Sequence, residues 1–122
     1  MALNLDAIGK KIGPLTLQHF AGAILNIHPA LLPSFRGMDA FQQALDHGVK
    51  WTGTTVHIVD EEYDHGPIVL QKSIPVAEND SPESLALRVL QIEHQIYPEA
   101  VKLFAEGRVR VEGNKAIISD PQ

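Results

Sequence analysis

An asparagine and a histidine lie two residues apart at the end of a short apolar segment. Asn26 and His28 are separated by Ile27, and Pro29 follows directly. Side chains alternate between the two faces of a β-strand, so both polar groups would leave the same face at the strand's carboxyl end. Open α/β sheets place their ligands at that end. The spacing therefore indicates a candidate site that contains an amide and an imidazole.

A carboxylate that could join this pair lies farther along the chain. Asp64 falls in the acidic segment 60–67, ahead of a Gly-Pro turn that could hold it in place. Asn26 could donate a hydrogen bond to a developing oxyanion, an interaction worth roughly 3–4 kcal/mol in comparable sites. A protonated His28 would add charge, and Asp64 would favour the imidazolium and relay a proton. Because no nucleophilic side chain is needed, these residues predict transfer of an acyl group to an external amine.

A less specific interpretation applies to each histidine taken alone. Most histidines in proteins are structural or solvated, and this chain has six, so Asn-x-His by itself is a weak signal. His65, next to Asp64, could contact a ligand. The remaining histidines are interpreted as structural or surface residues: His19, His47, His57 and His94. Neither His-x-x-x-His nor Glu-x-x-His occurs on a predicted helix, so no metal site is predicted.

Size and composition predict one soluble domain spanning residues 1–122. The apolar content of 44% is ordinary for a globular protein, and the net charge of −5 gives no basic surface for nucleic acid or anionic lipid. The chain has no cysteine, which excludes disulfides and thiolate chemistry. Neither a secretory signal nor an apolar run of membrane-spanning length is visible, so we expect a cytoplasmic protein.

Periodicity predicts an α/β fold, a mixed sheet with flanking helices. Apolar and β-branched runs predict the strands, and 3.6-residue stripes bounded by capping and glycine signals predict the helices. Asp80 is predicted to be the N-cap of a helix, with Glu83 three residues later as its capping partner. Pro98 would break or kink that helix. The predicted elements are a helix over 15–20, a strand over 23–27, a helix over 39–47, strands over 54–59 and 68–76, a helix from 80 closed by Gly107, and a hairpin over 109–118. A strand such as 23–27 is normally central in its sheet, so the chain would form the second half of a larger one.

The residues around Asn26 and His28 resemble the signature of the folate-dependent formyltransferases. The stretch from Leu25 to Gly37 carries it, LNIHPALLPSFRG. Further matches follow at 43–45, 48–50, 53–57, 59–68, 70–71, 93–98 and 106–108. The resemblance extends from about Ile12 to the end of the chain, and its motifs are specific.

Within the family, His28-Pro29 and the closing Glu-His-x-Ile-Tyr-Pro look like the glycinamide ribonucleotide branch. Formyltetrahydrofolate deformylases usually have a second histidine at the Pro29 position, and methionyl-tRNA formyltransferases usually have glycine. The resemblance implies the carboxyl-terminal half of the formyltransferase fold. It also implies formyl transfer from 10-formyltetrahydrofolate to the amine of glycinamide ribonucleotide in purine synthesis, without a metal.

The resemblance also implies roles for individual residues. Asn26, His28 and Asp64 match the family's catalytic trio. The substrate-binding positions would be Ile27, Pro29 and Glu93. The folate-binding positions would be Leu17, Ile24, Val59, Asp60, Glu61, Glu62, Tyr63 and Asp64. For Glu93, the plain alternative is a solvated helix acid.

The chain departs from the family pattern at its amino end. Relatives carry a nucleotide-binding half whose loop amides hold the substrate phosphate, and we find no such loop here. Segment 7–11 also differs from the folate-contacting strand of relatives, although Lys10 could partly replace an arginine found there. Two alternatives therefore stand beside the transferase. One is a non-catalytic truncated paralogue or a half-enzyme that self-associates or needs a complementing partner, and the other is a deformylase-like hydrolase.

Overall fold

The computed structural model describes residues 24–59 and 65–120. These residues form five strands and two helices. In chain order they are β1 Leu25–His28, α1 Ala40–His47, β2 Trp51–Ile58, β3 Ile68–Pro75, α2 Pro82–Ala105, β4 Val109–Glu112 and β5 Lys115–Ile118. One sheet has the order β1-β2-β3, and β4 and β5 form a separate hairpin.

The three-stranded sheet is antiparallel at both pairings. β2 is the central strand, and its residues Thr55 and His57 lie directly opposite His28 and Asn26 of β1. On the other side Thr55 pairs with Gln71, and the register shifts between Val56 and His57. Because opposed residues point to the same face, these side chains share one polar face of the sheet.

The opposite face of the sheet is apolar and is covered by α2. Alternate residues of β1 and β2 point there, and the stripe at 92, 96, 100 and 103 of α2 packs on them. Full burial of such side chains stabilises the fold by roughly 1.5–3 kcal/mol each. The buried core cluster contains Leu25, Ile27, Val56, Ile58, Val69, Ile92, Ile96, Ala100 and Leu103.

The predicted strands and α1 are confirmed, with small shifts at their ends. β2 begins three residues earlier than predicted, at Trp51. α1 ends at His47 because Gly48 adopts a left-handed conformation (φ 68°) and its N–H bonds back to Ala44 and Leu45. The β4–β5 hairpin turns at Gly113-Asn114 as predicted. All pairings among the described strands are antiparallel, so the parallel pair that a mixed sheet requires is not among them.

The start of α2 differs from the prediction. Ser81, rather than Asp80, is the N-cap: its hydroxyl accepts a hydrogen bond from Ser84 N (3.1 Å), and Ser84 Oγ accepts one from Ser81 N (2.9 Å). Ser84 thus replaces Glu83 as the reciprocal partner. Asp80 itself precedes the helix, and its carboxylate accepts hydrogen bonds from Ala77 N (2.7 Å) and from Ser84 Oγ of α2 (2.8 Å) and pairs with Arg88 of α2.

Pro98 does not end α2, which runs unbroken to Ala105. The prediction of a break was wrong because packing on the sheet outweighs one lost backbone hydrogen bond: Ile96 and Ala100, on either side of the proline, are both buried. Neither described helix is long and apolar enough to cross a bilayer.

Gly53 of β2 occupies a position with no room for a side chain. An added Cβ would lie 2.0 Å from the carbonyl oxygen of Lys72 and 2.9 Å from Leu31 Cδ2. We therefore expect Gly53→Ala to lower the free energy of unfolding by about 1–3 kcal/mol, because the β2–β3 ladder must shift. Urea denaturation would measure the loss, and Ser73→Ala, at the exposed cross-strand partner, is the matched control. Equal stability of the two variants would contradict this crowding.

Asp80 links pH to stability at the start of α2. The hydrogen bond from Ser84 lowers the pKa of Asp80 below its ordinary value of 3.8, and the Ala77 N–H and the Arg88 guanidinium lower it further. A carboxyl whose pKa is lowered in the folded state contributes stability above about pH 3.8 and loses it as the pH falls through the folded-state pKa. Asp80→Asn should therefore be less stable than the wild-type chain near neutral pH, and the gap should close below pH 3.8. Urea midpoints across this range test it; a gap that persists in acid would refute the linkage.

Candidate active site

His28 ends β1 with its ring held by the loop that follows. The side chain is buried, and Nε2 lies 2.7 Å from the carbonyl oxygen of Phe35. A carbonyl oxygen only accepts hydrogen bonds, so Nε2 carries the proton and donates it. The neutral ring is therefore the Nε2–H tautomer, and Nδ1 is the nitrogen that can take up or release a proton.

Asn26 lies two residues earlier on the same face. Its Oδ1 is buried and has no hydrogen-bond partner in the described structure. Leaving a buried polar atom unpaired costs about 1–3 kcal/mol, and such sites call for a specific explanation. On the neighbouring strand His57 lies directly opposite, and its Nδ1 donates to Ile58 O (3.2 Å). The strand thus presents the Asn26 amide on the same face as the His28 imidazole, whose tautomer is fixed.

The chain after β1 forms a histidine loop, defined here as residues 29–39. Thr55 Oγ1 holds its first half: the hydroxyl donates to Ala30 O (2.7 Å) and accepts from Leu32 N (3.1 Å). Gln71 Nε2 donates to both Thr55 Oγ1 (3.0 Å) and Leu32 O (3.0 Å). All three bonding positions of the Thr55 hydroxyl are therefore used.

A second threonine fixes the strand end itself. Thr54 Oγ1 donates to His28 O (3.1 Å). Both threonine side chains are completely buried. Hydrogen bonds in such a low-dielectric setting are strong, so the backbone is held at His28 and again at Ala30 and Leu32.

A cavity of about 540 Å³ adjoins this region between α1 and α2. It brings together Pro29 and Glu93, two residues that the sequence predicted to bind substrate. The α2 positions 83, 86, 87, 90 and 93 line one side at helical spacing. Leu87 and Leu90 on this stripe are 66% and 43% exposed, so the wall is largely apolar and open to solvent. The complete lining is Pro29, Phe41, Glu83, Ala86, Leu87, Leu90 and Glu93.

The other predicted site residues lie in different places. Ile27 points into the core on the α2 face, so only its backbone could shape a cleft. Ile24 is 1% exposed and accepts a hydrogen bond at its carbonyl from the N–H of half-buried Val59 (2.9 Å). Leu17 and the acidic residues Asp60, Glu61, Glu62, Tyr63 and Asp64 lie outside the described residues. In residues 24–59 and 65–120, no three His, Asp or Glu side chains are grouped as metal ligands would be.

The residues that support His28 are not among those predicted from the sequence to form the site. Thr54 and Thr55 fit the pattern of a strand, and Gln71 belongs to a family motif. A usable signal existed: two adjacent threonines in an otherwise apolar strand must bury at least one hydroxyl, which then needs a partner.

Comparison with known proteins identifies the family. The family model described as formyl transferase matches residues 5–101. The chain belongs to the formyl transferase family. It is 47% identical over 109 residues to the phosphoribosylglycinamide formyltransferase of Haemophilus influenzae, covering 89% of this chain and 51% of that protein.

Solved structures show the same relationship. The crystal structure of glycinamide ribonucleotide transformylase 1 from Symbiobacterium toebii is 49% identical with a TM-score of 0.86, covering 95% of this chain and 59% of that one. A formyltetrahydrofolate deformylase from Pseudomonas syringae is 34% identical with a TM-score of 0.86, covering 91% and 37%. The chain thus spans about half the length of the Haemophilus relative. The α/β class and the partial formyltransferase fold are confirmed.

The Thr55 hydroxyl offers a direct test of the support described above. Thr55→Val keeps the shape but leaves Ala30 O and Leu32 N without their partner, so we expect a loss of about 1–3 kcal/mol in the free energy of unfolding. Thr52 is the matched control because it is equally buried in β2 and its hydroxyl has no hydrogen bond to another described residue. Thr52→Val should change stability little. If both valine variants unfold at the same denaturant concentration, the Thr55 network does not stabilise the loop.

Proposed function

We propose that this chain carries the catalytic residues of a folate-dependent formyl transfer to the amine of glycinamide ribonucleotide. Family membership and the relatives named for this reaction support the reaction class. The single structural observation that carries the proposal is the pairing of a buried, unpartnered Asn26 Oδ1 with a tautomer-fixed His28 on one strand face. Purine synthesis in the cytoplasm is the corresponding cellular role.

The proposed reaction needs no covalent enzyme intermediate. The acceptor amine attacks the formyl carbon of 10-formyltetrahydrofolate, a C–N bond forms, and the carbonyl electron pair moves onto oxygen. Protonated His28 donates from Nδ1 to this oxyanion, and the Asn26 amide donates a second hydrogen bond; such a donor contributes roughly 3–4 kcal/mol. When the intermediate collapses, the bond to N10 breaks and the formyl carbonyl reforms. N10 gains a proton while the acceptor nitrogen loses one, a transfer that we assign to Asp64 directly or through water.

The two substrates would contact different sets of residues. We assign the acceptor to the cavity that Pro29 and Glu93 share, where the Glu93 carboxylate offers a partner for a hydrogen-bond donor. We assign folate to Leu17, Ile24, Val59 and segment 60–64, on the family resemblance. Ile24 is 1% exposed, so it would contact folate only through its backbone or form the base of the folate pocket.

Full activity requires, on this proposal, the part of the fold that holds the acceptor phosphate. The chain spans 51% of the Haemophilus relative, and a cradle for the phosphate supplies binding energy that aligns the amine. A complementing polypeptide would then be the partner. The alternative class is a non-catalytic paralogue, in which the same residues are retained without turnover.

Formyl hydrolysis is the second candidate reaction. The similarity to the Pseudomonas deformylase favours it. The same oxyanion stabilisation would serve attack by water in place of an amine. Dependence on the amine acceptor distinguishes the two, because a hydrolase releases formate in its absence.

The deciding experiment uses the full chain mixed with the separately produced amino-terminal half of the Haemophilus enzyme. We expect formyl transfer that depends on glycinamide ribonucleotide and is abolished by His28→Ala, with folate affinity retained within a few-fold. His94→Ala, an exposed position on α2, is the control and should leave the rate unchanged. Turnover that survives His28→Ala would sink the mechanism. Formate release without the acceptor would favour the hydrolase, and a folded mixture without turnover would favour the paralogue.

A further inference from the structure

The carbonyl that holds His28 belongs to a strained stretch of backbone. Phe35 and Asp39 have φ values of 53° and 59°, in the left-handed region that non-glycine residues rarely occupy, and Gly37 between them has φ 83°. A segment with three left-handed residues in five does not persist unless its surroundings hold it. The Phe35 carbonyl therefore stays at His28 Nε2 only while something restrains residues 35–39.

Gln43 of α1 provides such a restraint. Its side-chain Nε2 donates to Met38 O (2.8 Å) and Arg36 O (3.2 Å), one hydrogen bond on each side of Gly37. Both amide hydrogens are used. One helical turn later His47 places its ring edge-on against Phe35, with centroids 5.3 Å apart. Two residues on one face of α1 thus contact this segment.

We propose that Gln43 is a positioning residue for His28. By clamping Arg36 O and Met38 O it holds the Phe35 carbonyl in place, and that carbonyl fixes His28 as the Nε2–H tautomer. The role given to Gln43 rests on the proposed function of His28. It extends the site from the strand end to a helix that contributes no group to the reaction.

The neighbouring glutamine makes a close control possible. Gln42 lies on the same helix, and its Nε2 donates to Asp46 Oδ1 (2.8 Å) at the surface rather than to the histidine loop. Gln42→Met and Gln43→Met make the same chemical change at adjacent positions. Gln43→Lys restores a donor for the two carbonyls and serves as the rescue variant.

The test is the ¹⁵N NMR spectrum of the imidazole nitrogens in the full chain, with His28 assigned by its loss in His28→Gln. We expect the wild-type chain, Gln42→Met and Gln43→Lys to show the Nε2–H tautomer. In Gln43→Met a mixture should appear, with the two nitrogen shifts moving toward each other. A clamp that is only structural would lower stability without this change, so an unaltered tautomer in folded Gln43→Met overturns the proposal. If that variant does not fold, the shorter Gln43→Asn is judged by the same criterion.

Turnover of the complemented enzyme adds a second measurement. Gln43→Met should lower kcat by about ten- to a hundredfold, since small misplacements of reacting groups have such effects, while KM for the acceptor changes little. An unchanged kcat would also overturn the positioning role. Absence of turnover in the wild-type mixture would instead refute the proposed function, and the tautomer measurement would still decide the role of Gln43.

Discussion

The site depends on the hydrogen bonds that the Thr55 hydroxyl makes. It lies at the centre of the sheet, is completely buried, and bonds with Ala30 O, Leu32 N and Gln71 Nε2. A buried hydroxyl must satisfy its bonding capacity, so the loop after His28 is pinned to the middle strand rather than left to solvent. The carbonyl of Phe35 can then be fixed by a second set of contacts from α1 alone. The stability of the loop and the position of His28 thus depend on the same few hydrogen bonds.

Because side chains alternate along each strand, the two faces of the sheet have different roles. Leu25 and Ile27 of β1 face the core under α2, while Asn26 and His28 face the other way beside Thr55 and His57. The apolar face provides the free energy that holds the strands together. The polar face carries groups that are costly to bury, including the unpaired Asn26 Oδ1, and the core offsets that cost.

Local sequence signals predicted the elements because each rests on nearby residues. The Pro29 stop, the left-handed Gly48 and the Gly113-Asn114 turn all act within a few positions of the chain. Errors arose where other contacts competed with these signals. Pro98 was expected to break or kink α2, but buried neighbours on both sides keep the helix continuous. The N-cap moved from Asp80 to Ser81 because Ala77, Ser84 and Arg88 engage the Asp80 carboxylate.

For the site, Asn26 and His28 were predicted from their spacing, and Pro29 and Glu93 from the family resemblance, and these roles stay predictions; the groups that hold His28 were not predicted. The partners of Thr55 lie 16 to 25 residues away along the chain, and contacts between residues this far apart produce no periodic pattern in a single sequence.

The hydrogen bonds of Thr55 also affect how cooperatively the histidine loop unfolds. Surface loops commonly open by themselves, in units smaller than the domain. Here residues 30–32 of the histidine loop can leave their position only by breaking bonds to β2 and β3, so this part of the loop should open together with the sheet. The strand end that carries His28 and the folded core then form a single cooperative unit.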